Sequence, residues 1–250
     1  MSRPAVLVTG AARRIGATIA RAFADANWHV VIHYGRSGDA ADALAATLPS
    51  AETMGCDLAN ARASEAMVVD LATRLPDWRV IVNCASVFRL DTVESLDADV
   101  FDEAMRVNAA APARLAQLFL RLANARGGRR VIQVTDQKIA NPNPDFFSYT
   151  MSKHALAATV PMLATGLAGP EDRVYAIAPG AILASHDQSE SETEKSHRMN
   201  LLGRKTAAEE IANAALFLAE GWLASGETLY LDSGQHLLRQ LRDVLFLARE

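Results

Sequence analysis

Tyr149 and Lys153 stand four residues apart in the run SYTMSK, so a helix through them would put phenol and ammonium on one face, one turn apart. An ammonium beside a phenol favours the phenolate and lowers a pKa whose ordinary value is about 10, which makes tyrosine usable as an acid or base. Asp136 follows the apolar run Val131-Ile132-Gln133-Val134, thirteen residues before Tyr149. A strand there places the carboxylate at the carboxyl end of a sheet, where open α/β folds present their ligand crevice. The three side chains form a candidate proton-handling site. By spacing alone, a tyrosine and a lysine on a solvated helix face are an equal alternative.

A second group points to a bound dinucleotide. Val6-Leu7-Val8-Thr9-Gly10-Ala11-Ala12-Arg13-Arg14-Ile15-Gly16 reads as a strand, a glycine turn and the start of a helix. Backbone N–H groups in such a turn, across Arg13, Arg14 and Ile15, receive a pyrophosphate. Gly10 supplies the tight turn and Gly16 lets the helix pack closely. The second strand ends in His33-Tyr34-Gly35-Arg36-Ser37, and the first acid beyond it is Asp39. Arg36 with Ser37 at that place suits the 2′-phosphate of NADPH, because a guanidinium recognises phosphate with two hydrogen bonds. Asp57 ends the third strand, placed to accept from the adenine amino group or to begin the next turn.

Strand-like and helical runs alternate along the chain. Strands are expected at 5–9, 29–33, 51–55, 80–83, 130–134, 173–177 and 228–231, and helices at 15–26, 39–48, 61–74, 98–125, 149–168 and 207–219. The alternation predicts a single α/β domain of Rossmann type, with a doubly wound, seven-stranded parallel sheet and helices on both faces. No Gly-, Pro- or Ser-rich linker divides residues 1–250. Two stretches break the pattern. Residues 184–200, ASHDQSESETEKSHRMN, are nearly devoid of apolar side chains and would be poorly ordered alone; a lid or binding loop over the substrate site is expected, with a solvated surface loop as the alternative. In the extension 235–250, Leu237, Leu238, Leu241, Val244, Leu245 and Ala248 form a helical stripe that would dock on its own subunit or join two subunits.

Composition narrows the partners. The net charge of −4, without a basic run, argues against nucleic acid and membrane surfaces. No apolar run approaches the roughly 18 residues of a membrane span, and the amino terminus lacks a secretory pattern. The two cysteines, Cys56 and Cys84, show no C-x-x-C spacing, which suits a reducing cytoplasm. The six histidines, His29, His33, His154, His186, His197 and His236, show no metal-ligand spacing, so no metal site is expected.

Taken in order, Thr9-Gly10…Gly16, Asp57-Leu58, Asn83-Cys84-Ala85-Ser86, Asn108, Tyr149-x-x-x-Lys153 and Pro179-Gly180 resemble the short-chain dehydrogenase/reductase family over essentially the whole chain. The resemblance implies that Tyr149 donates a proton and that Lys153 binds the nicotinamide ribose and lowers the tyrosine pKa. It also implies that Asn108 supports a water-linked proton path and that the protein is a homotetramer. The family usually has Gly where Arg14 stands and Ser where Asp136 stands. Those departures, with the H-Y-x-R-S run, look like the pteridine reductase and dihydromonapterin reductase branch. In that branch an aromatic at the place of Phe88 sandwiches the pterin against the nicotinamide, Arg14 faces the pterin and the cofactor phosphates, and Ser86 bonds the ring. After Pro179-Gly180 the chain lacks the Ser or Thr often used near the nicotinamide.

The leading expectation is NADPH-dependent reduction of a dihydropterin to the tetrahydro form, at a ring C=N. Two rivals stand beside it: a short-chain carbonyl reductase, and a non-catalytic NADPH-binding protein.

Overall fold

A computed structural model of the protein describes residues 3–184 and 188–250. Seven strands, β1 (Ala5–Val8), β2 (His29–Tyr34), β3 (Ala51–Gly55), β4 (Trp78–Asn83), β5 (Arg130–Val134), β6 (Arg173–Pro179) and β7 (Thr228–Leu231), pair in parallel in the order β3-β2-β1-β4-β5-β6-β7. Helices α1 (Arg14–Asp25), α2 (Gly38–Ala45), α3 (Ala61–Arg74), α4 (Ala98–Ala104), α5 (Ala111–Leu122), α6 (Phe147–Gly166), α7 (Glu190–Ser196), α8 (Ala208–Glu220) and α9 (Val244–Leu247) complete the described elements, with 3₁₀ turns at Gln137–Ile139 and Gln235–Leu237.

Both faces of the sheet are covered, so its central strands read as unbroken apolar runs. Side chains alternate across each strand. Val6, Val8, Val80, Val82 and Ile132 pack with Phe23 of α1, Leu44 of α2 and Ile211 of α8. Leu7, Ile81 and Val131 pack on the opposite face with Leu71 of α3, Phe119 of α5 and Leu163 of α6. The order of strands reverses direction between β1 and β4, and ligands bind open α/β sheets outside the carboxyl ends at such a point. Among the described residues, no helix is long and apolar enough to cross a membrane.

Three expectations change. The helix expected at 98–125 is interrupted: Met105–Ala110 winds as a π-helix between α4 and α5, and Asn108 lies inside it. Wide turns of this kind recur at functional sites, and apolar periodicity does not disclose them. The loop expected at 184–200 contains α7, started by a capping box in which Ser189 Oγ accepts from the Glu192 N–H and Glu192 accepts from the Ser189 N–H. Its residues 185–187, with His186, lie outside the described residues.

The extension 235–250 is not one helix. It is a 3₁₀ turn, an irregular run with bends at Leu238, Leu241 and Arg242, and the single turn of α9, and it docks on its own chain. Leu237 and Leu241 are exposed while Val244, Leu245 and Ala248 are buried, so the stripe faces two ways. Asp145 decides this by accepting from Arg242 Nε and the Asp243 N–H, both at 2.8 Å, which holds the backbone extended before α9.

Candidate active site

A cavity of about 760 Å³ runs along the carboxyl edge of the sheet, from Arg36 and Asp57 to Tyr149 and the turn of α9. At its cofactor end Gly10 lies at φ +66°, and a Cβ there would stand 2.8 Å from Ala85 Cα. At Gly16 a Cβ would stand 2.4 Å from the Gly10 carbonyl oxygen. Only glycine permits this tight a turn, and it leaves the first-turn N–H groups of α1 without intrahelical acceptors at the cavity. Thr9 Oγ1 accepts from the N–H groups of Cys84 and Ala85, at 2.9 and 3.0 Å, tying the ends of β1 and β4 together.

His33, expected beside the cofactor, also sets the turn. Its Nδ1 accepts from the Gly10 N–H at 3.1 Å, so Nε2 carries the proton and donates to the Cys56 carbonyl at 2.9 Å. Burial lowers its pKa to about 4, so the ring is neutral at pH 7. The Gly10 N–H is therefore engaged within the protein rather than open to a phosphate.

Arg13, Arg14, Ile15, Arg36, Asp57, Leu58, Ala85, Ser86, Pro179 and Gly180, all expected at the site, line the cavity, and so, without being expected there, does Gly35. Asp57 Oδ1 accepts from the Ala59 N–H at 2.9 Å, so it begins the turn after β3 while lining the cavity. Tyr34, Ser37 and Asn83 do not line it. The Tyr34 ring covers Gly55, Ser37 is the N-cap of α2, and Asn83 Nδ2 turns to the Pro112 carbonyl. Period-2 alternation sends Tyr34 away from its neighbours on the strand. Arg14 adopts φ +56°, a conformation that favours the glycine usual at this place, and its guanidinium donates to the carbonyls of Ala184 and Leu183 at 3.0 and 3.4 Å.

At the other end the expected trio meets. The Tyr149 hydroxyl donates to Asp136 Oδ2 at 2.7 Å, and Lys153 Nζ donates to the Val134 carbonyl at 2.8 Å. Asp136 Oδ1 accepts from the Lys138 N–H at 2.9 Å, which fixes the carboxylate at the head of a 3₁₀ turn. Here one expectation is corrected. Burial first, and then the Asp136 carboxylate, raise the Tyr149 pKa well above its ordinary value instead of lowering it. The Lys153 ammonium is bonded to a strand carbonyl and sits 5.5 Å from the Tyr149 ring centre, while the carboxylate is in direct contact. Burial also raises the Asp136 pKa and lowers that of Lys153.

Asn108 holds the loop that carries Phe88. Its Oδ1 accepts from the Val87 N–H and the Ser86 hydroxyl, and its Nδ2 donates to the Val87 carbonyl and Ser152 Oγ. The amide is fully committed and lies outside the cavity lining, and its side chain positions Ser86 and Val87. Phe88 is 39% exposed, stacks on Phe146 at 4.0 Å and meets Tyr149 edge-on at 4.7 Å.

Several lining residues carry no short-range sequence signal. Lys138, 3% exposed, pairs with Asp243 Oδ2 at 2.7 Å and donates to Asn143 Oδ1 at 2.8 Å. Leu245 packs against Tyr149 and Phe146, and Val244 lines the cavity beside it. These contacts join positions about a hundred residues apart, which no local pattern announces.

Residues 10–236 match the family model described as enoyl-(acyl carrier protein) reductase. Pteridine reductase 1 of Leishmania tarentolae is 31% identical, over 94% of this chain and 97% of its own. Dihydromonapterin reductase of Citrobacter koseri is 26% identical, over 93% and 96%. Among solved structures, the FolM alternative dihydrofolate reductase 1 of Brucella suis, in complex with NADP, superposes with a TM-score of 0.88 at 33% identity, covering 96% of this chain and 97% of that one. With the glycine turn, the tyrosine–lysine pair and the sheet order all in place, the chain belongs to the short-chain dehydrogenase/reductase family.

Proposed function

We propose that the protein is an NADPH-dependent reductase that converts a dihydropterin to the tetrahydropterin. The observation that carries this reading is the 2.7 Å bond from Tyr149 to Asp136, a carboxylate where the family usually places serine. A serine hydroxyl donates to a ketone oxygen, whereas an ionised carboxylate only accepts, which suits a ring that bears N–H groups. The similarity to a pteridine reductase, a dihydromonapterin reductase and an alternative dihydrofolate reductase supports the same class of substrate.

The other end of the cavity fits NADPH. The Gly10–Gly16 turn, too tight for a Cβ at either glycine, turns the first N–H groups of α1 toward the cavity, where they would hold a pyrophosphate, and Arg36 would hold the 2′-phosphate. Asp57 and Leu58 would face the adenine, and Lys153 the nicotinamide ribose. When bound, NADPH supplies a hydride to a C=N carbon of the substrate. Tyr149 stays protonated, because burial and Asp136 oppose its ionisation, and so stores the proton destined for the adjacent nitrogen. Asp136 orients that hydroxyl by accepting its hydrogen bond. Phe88, backed by Phe146, offers a flat face for stacking, while Leu245 and Val244 keep water from Tyr149. Arg14 and Ser86 border the same space. We place the enzyme in a reducing compartment such as the cytoplasm, in which the free thiols of Cys56 and Cys84 persist.

The test is NADPH oxidation with 7,8-dihydropterins against a panel of ketones. Dihydropterin turnover is expected, and turnover of ketones alone overturns the assignment. Asp136→Ser separates the two readings further, by impairing pterin reduction while leaving or improving ketone reduction.

A further inference from the structure

Residues 238–250 run as a strap across the substrate end of the cavity and are fastened on both sides. On the side of β5, Asn141 Nδ2 donates to the Leu238 carbonyl at 2.5 Å, Arg242 Nε to Asp145 at 2.8 Å and Lys138 Nζ to Asp243 at 2.7 Å. On the side of α7, Gln240 Nε2 donates to the Met199 carbonyl at 2.8 Å, Lys195 Nζ to the Ala248 carbonyl at 3.2 Å and Arg249 Nε to Glu192 at 2.9 Å. Val244 and Leu245, both buried, line the cavity between these anchors, as do Ser196 and His197 on the α7 side. Bonds to two sides make the strap a wall of fixed position rather than a loose tail.

The wall stands beside the chemistry. Leu245 packs on Tyr149, which is only 8% exposed although its hydroxyl must reach the substrate. In a 7,8-dihydropterin the carbon of the reducible C=N is also the carbon that bears the side chain, and the nitrogen bonded to it takes the proton. The side chain therefore begins close to the atom that meets the Tyr149 hydroxyl, whatever lies further along it. The apolar groups at that place are Phe88, edge-on to the Tyr149 ring at 4.7 Å, and Leu245, with Val244 beside it on the strap. A short hydroxyalkyl chain asks little of this wall. The arylamino chain of dihydrofolate is stiffer and much longer and has to displace it, and close-packed apolar walls resist added volume.

Resting on the dihydropterin reading above, we propose that Leu245 is a specificity-determining residue: on a strap fastened to both sides of the cavity, it admits dihydropterins with a short side chain and disfavours dihydrofolate. The selection is by shape. A pocket wall that differs by one methylene already changes discrimination between substrates by about tenfold or more.

The experiment measures kcat/KM for 7,8-dihydrobiopterin and for 7,8-dihydrofolate at saturating NADPH, in wild type and in Leu245→Ala, Leu245→Val and Leu245→Met. Wild type is expected to prefer dihydrobiopterin by at least about tenfold. Leu245→Val and then Leu245→Ala should lower that preference stepwise, the second by about tenfold, with the KM for NADPH unchanged. Leu245→Met, which keeps the volume, should retain the preference. Because the preference is a ratio, loss of folded or generally active enzyme cancels from it. Should Leu245→Ala fail to fold, Leu245→Val, which removes a single methylene, carries the comparison. An unchanged preference in either folded variant with the smaller side chain overturns the proposal, and so does a wild type that uses both compounds equally. A wild type that reduces neither sinks the functional reading and this inference with it, whereas equal use of the two sinks this inference alone.

Discussion

Asp136 concentrates the chemistry of the site in one side chain and is held there against its own ionisation. Burial raises its pKa above the ordinary 3.8. An acid whose pKa is raised by folding contributes its stability while protonated, below the ordinary value, and loses it as pH rises through the folded value. Asp136→Asn, which cannot ionise, is therefore expected to melt above wild type at neutral and higher pH. The gap should close as pH falls toward about 4. The same variant should lose on the order of a hundredfold in dihydropterin reduction, the usual scale for a misplaced acid/base group. Thermal scans across pH check the first outcome, and a gap that stays constant would count against a buried, ionisable Asp136. Stability given up for function at one residue is the pattern expected of a catalytic group.

At the scale of elements, helix α6 is aimed by a residue far from it in sequence. Phe146 precedes the helix in a left-handed conformation, φ +54°, and offers no side-chain cap. The cap comes from Asp91, 6% exposed, whose Oδ1 accepts from the Ser148 N–H at 3.0 Å and whose Oδ2 accepts from the Ser148 hydroxyl at 2.5 Å. Asp91 lies on the same loop as Phe88, so one carboxylate ties the stacking ring to the helix that carries Tyr149 and Lys153. Asp91→Ala is expected to cost about 1–2 kcal/mol in urea unfolding and to lower kcat by more than that loss of folded enzyme explains. A second tie joins the turn after β5 to α9 through Lys138 and Asp243. Lys138→Met leaves the Asp243 carboxylate without its ammonium and should cost roughly 3 kcal/mol. Lys138→Met with Asp243→Leu should recover most of it, because no unpaired charge then remains. A double variant as unstable as the single would show that the pair is not what anchors α9.

For the whole molecule, the family resemblance leads us to propose a homotetramer. Large apolar side chains stand on the surface. Trp222 is 73% exposed and meets Phe217 edge-on at 5.6 Å at the end of α8, and Val69 of α3 and Leu122 of α5 are also exposed. Light scattering on the purified protein is expected to give four chains. Phe217→Ser with Trp222→Asp should reduce the assembly to dimers or monomers, and a variant that stays tetrameric removes this surface from the interface. Because α9 is held by Asp145 and Lys138 of its own chain, each cavity is walled in cis, and dimers are expected to keep activity.

The sequence by itself determined what depends on local pattern. Apolar runs at strand spacing, glycines at the first turn and Tyr149 four residues before Lys153 specify the parallel sheet, the dinucleotide turn and the acid/base pair. Side-chain alternation and helical pitch are properties of a few neighbouring residues. The tertiary structure decided the rest, since those contacts close only when distant segments meet. It turned Leu245 onto Tyr149, broke the stripe at 235–250, locked Gly10 through His33, made Asn108 a brace within a π turn, and let Asp136 rather than Lys153 govern the proton on Tyr149. Burial and charge set that proton's affinity, and neither exists until the chain has folded.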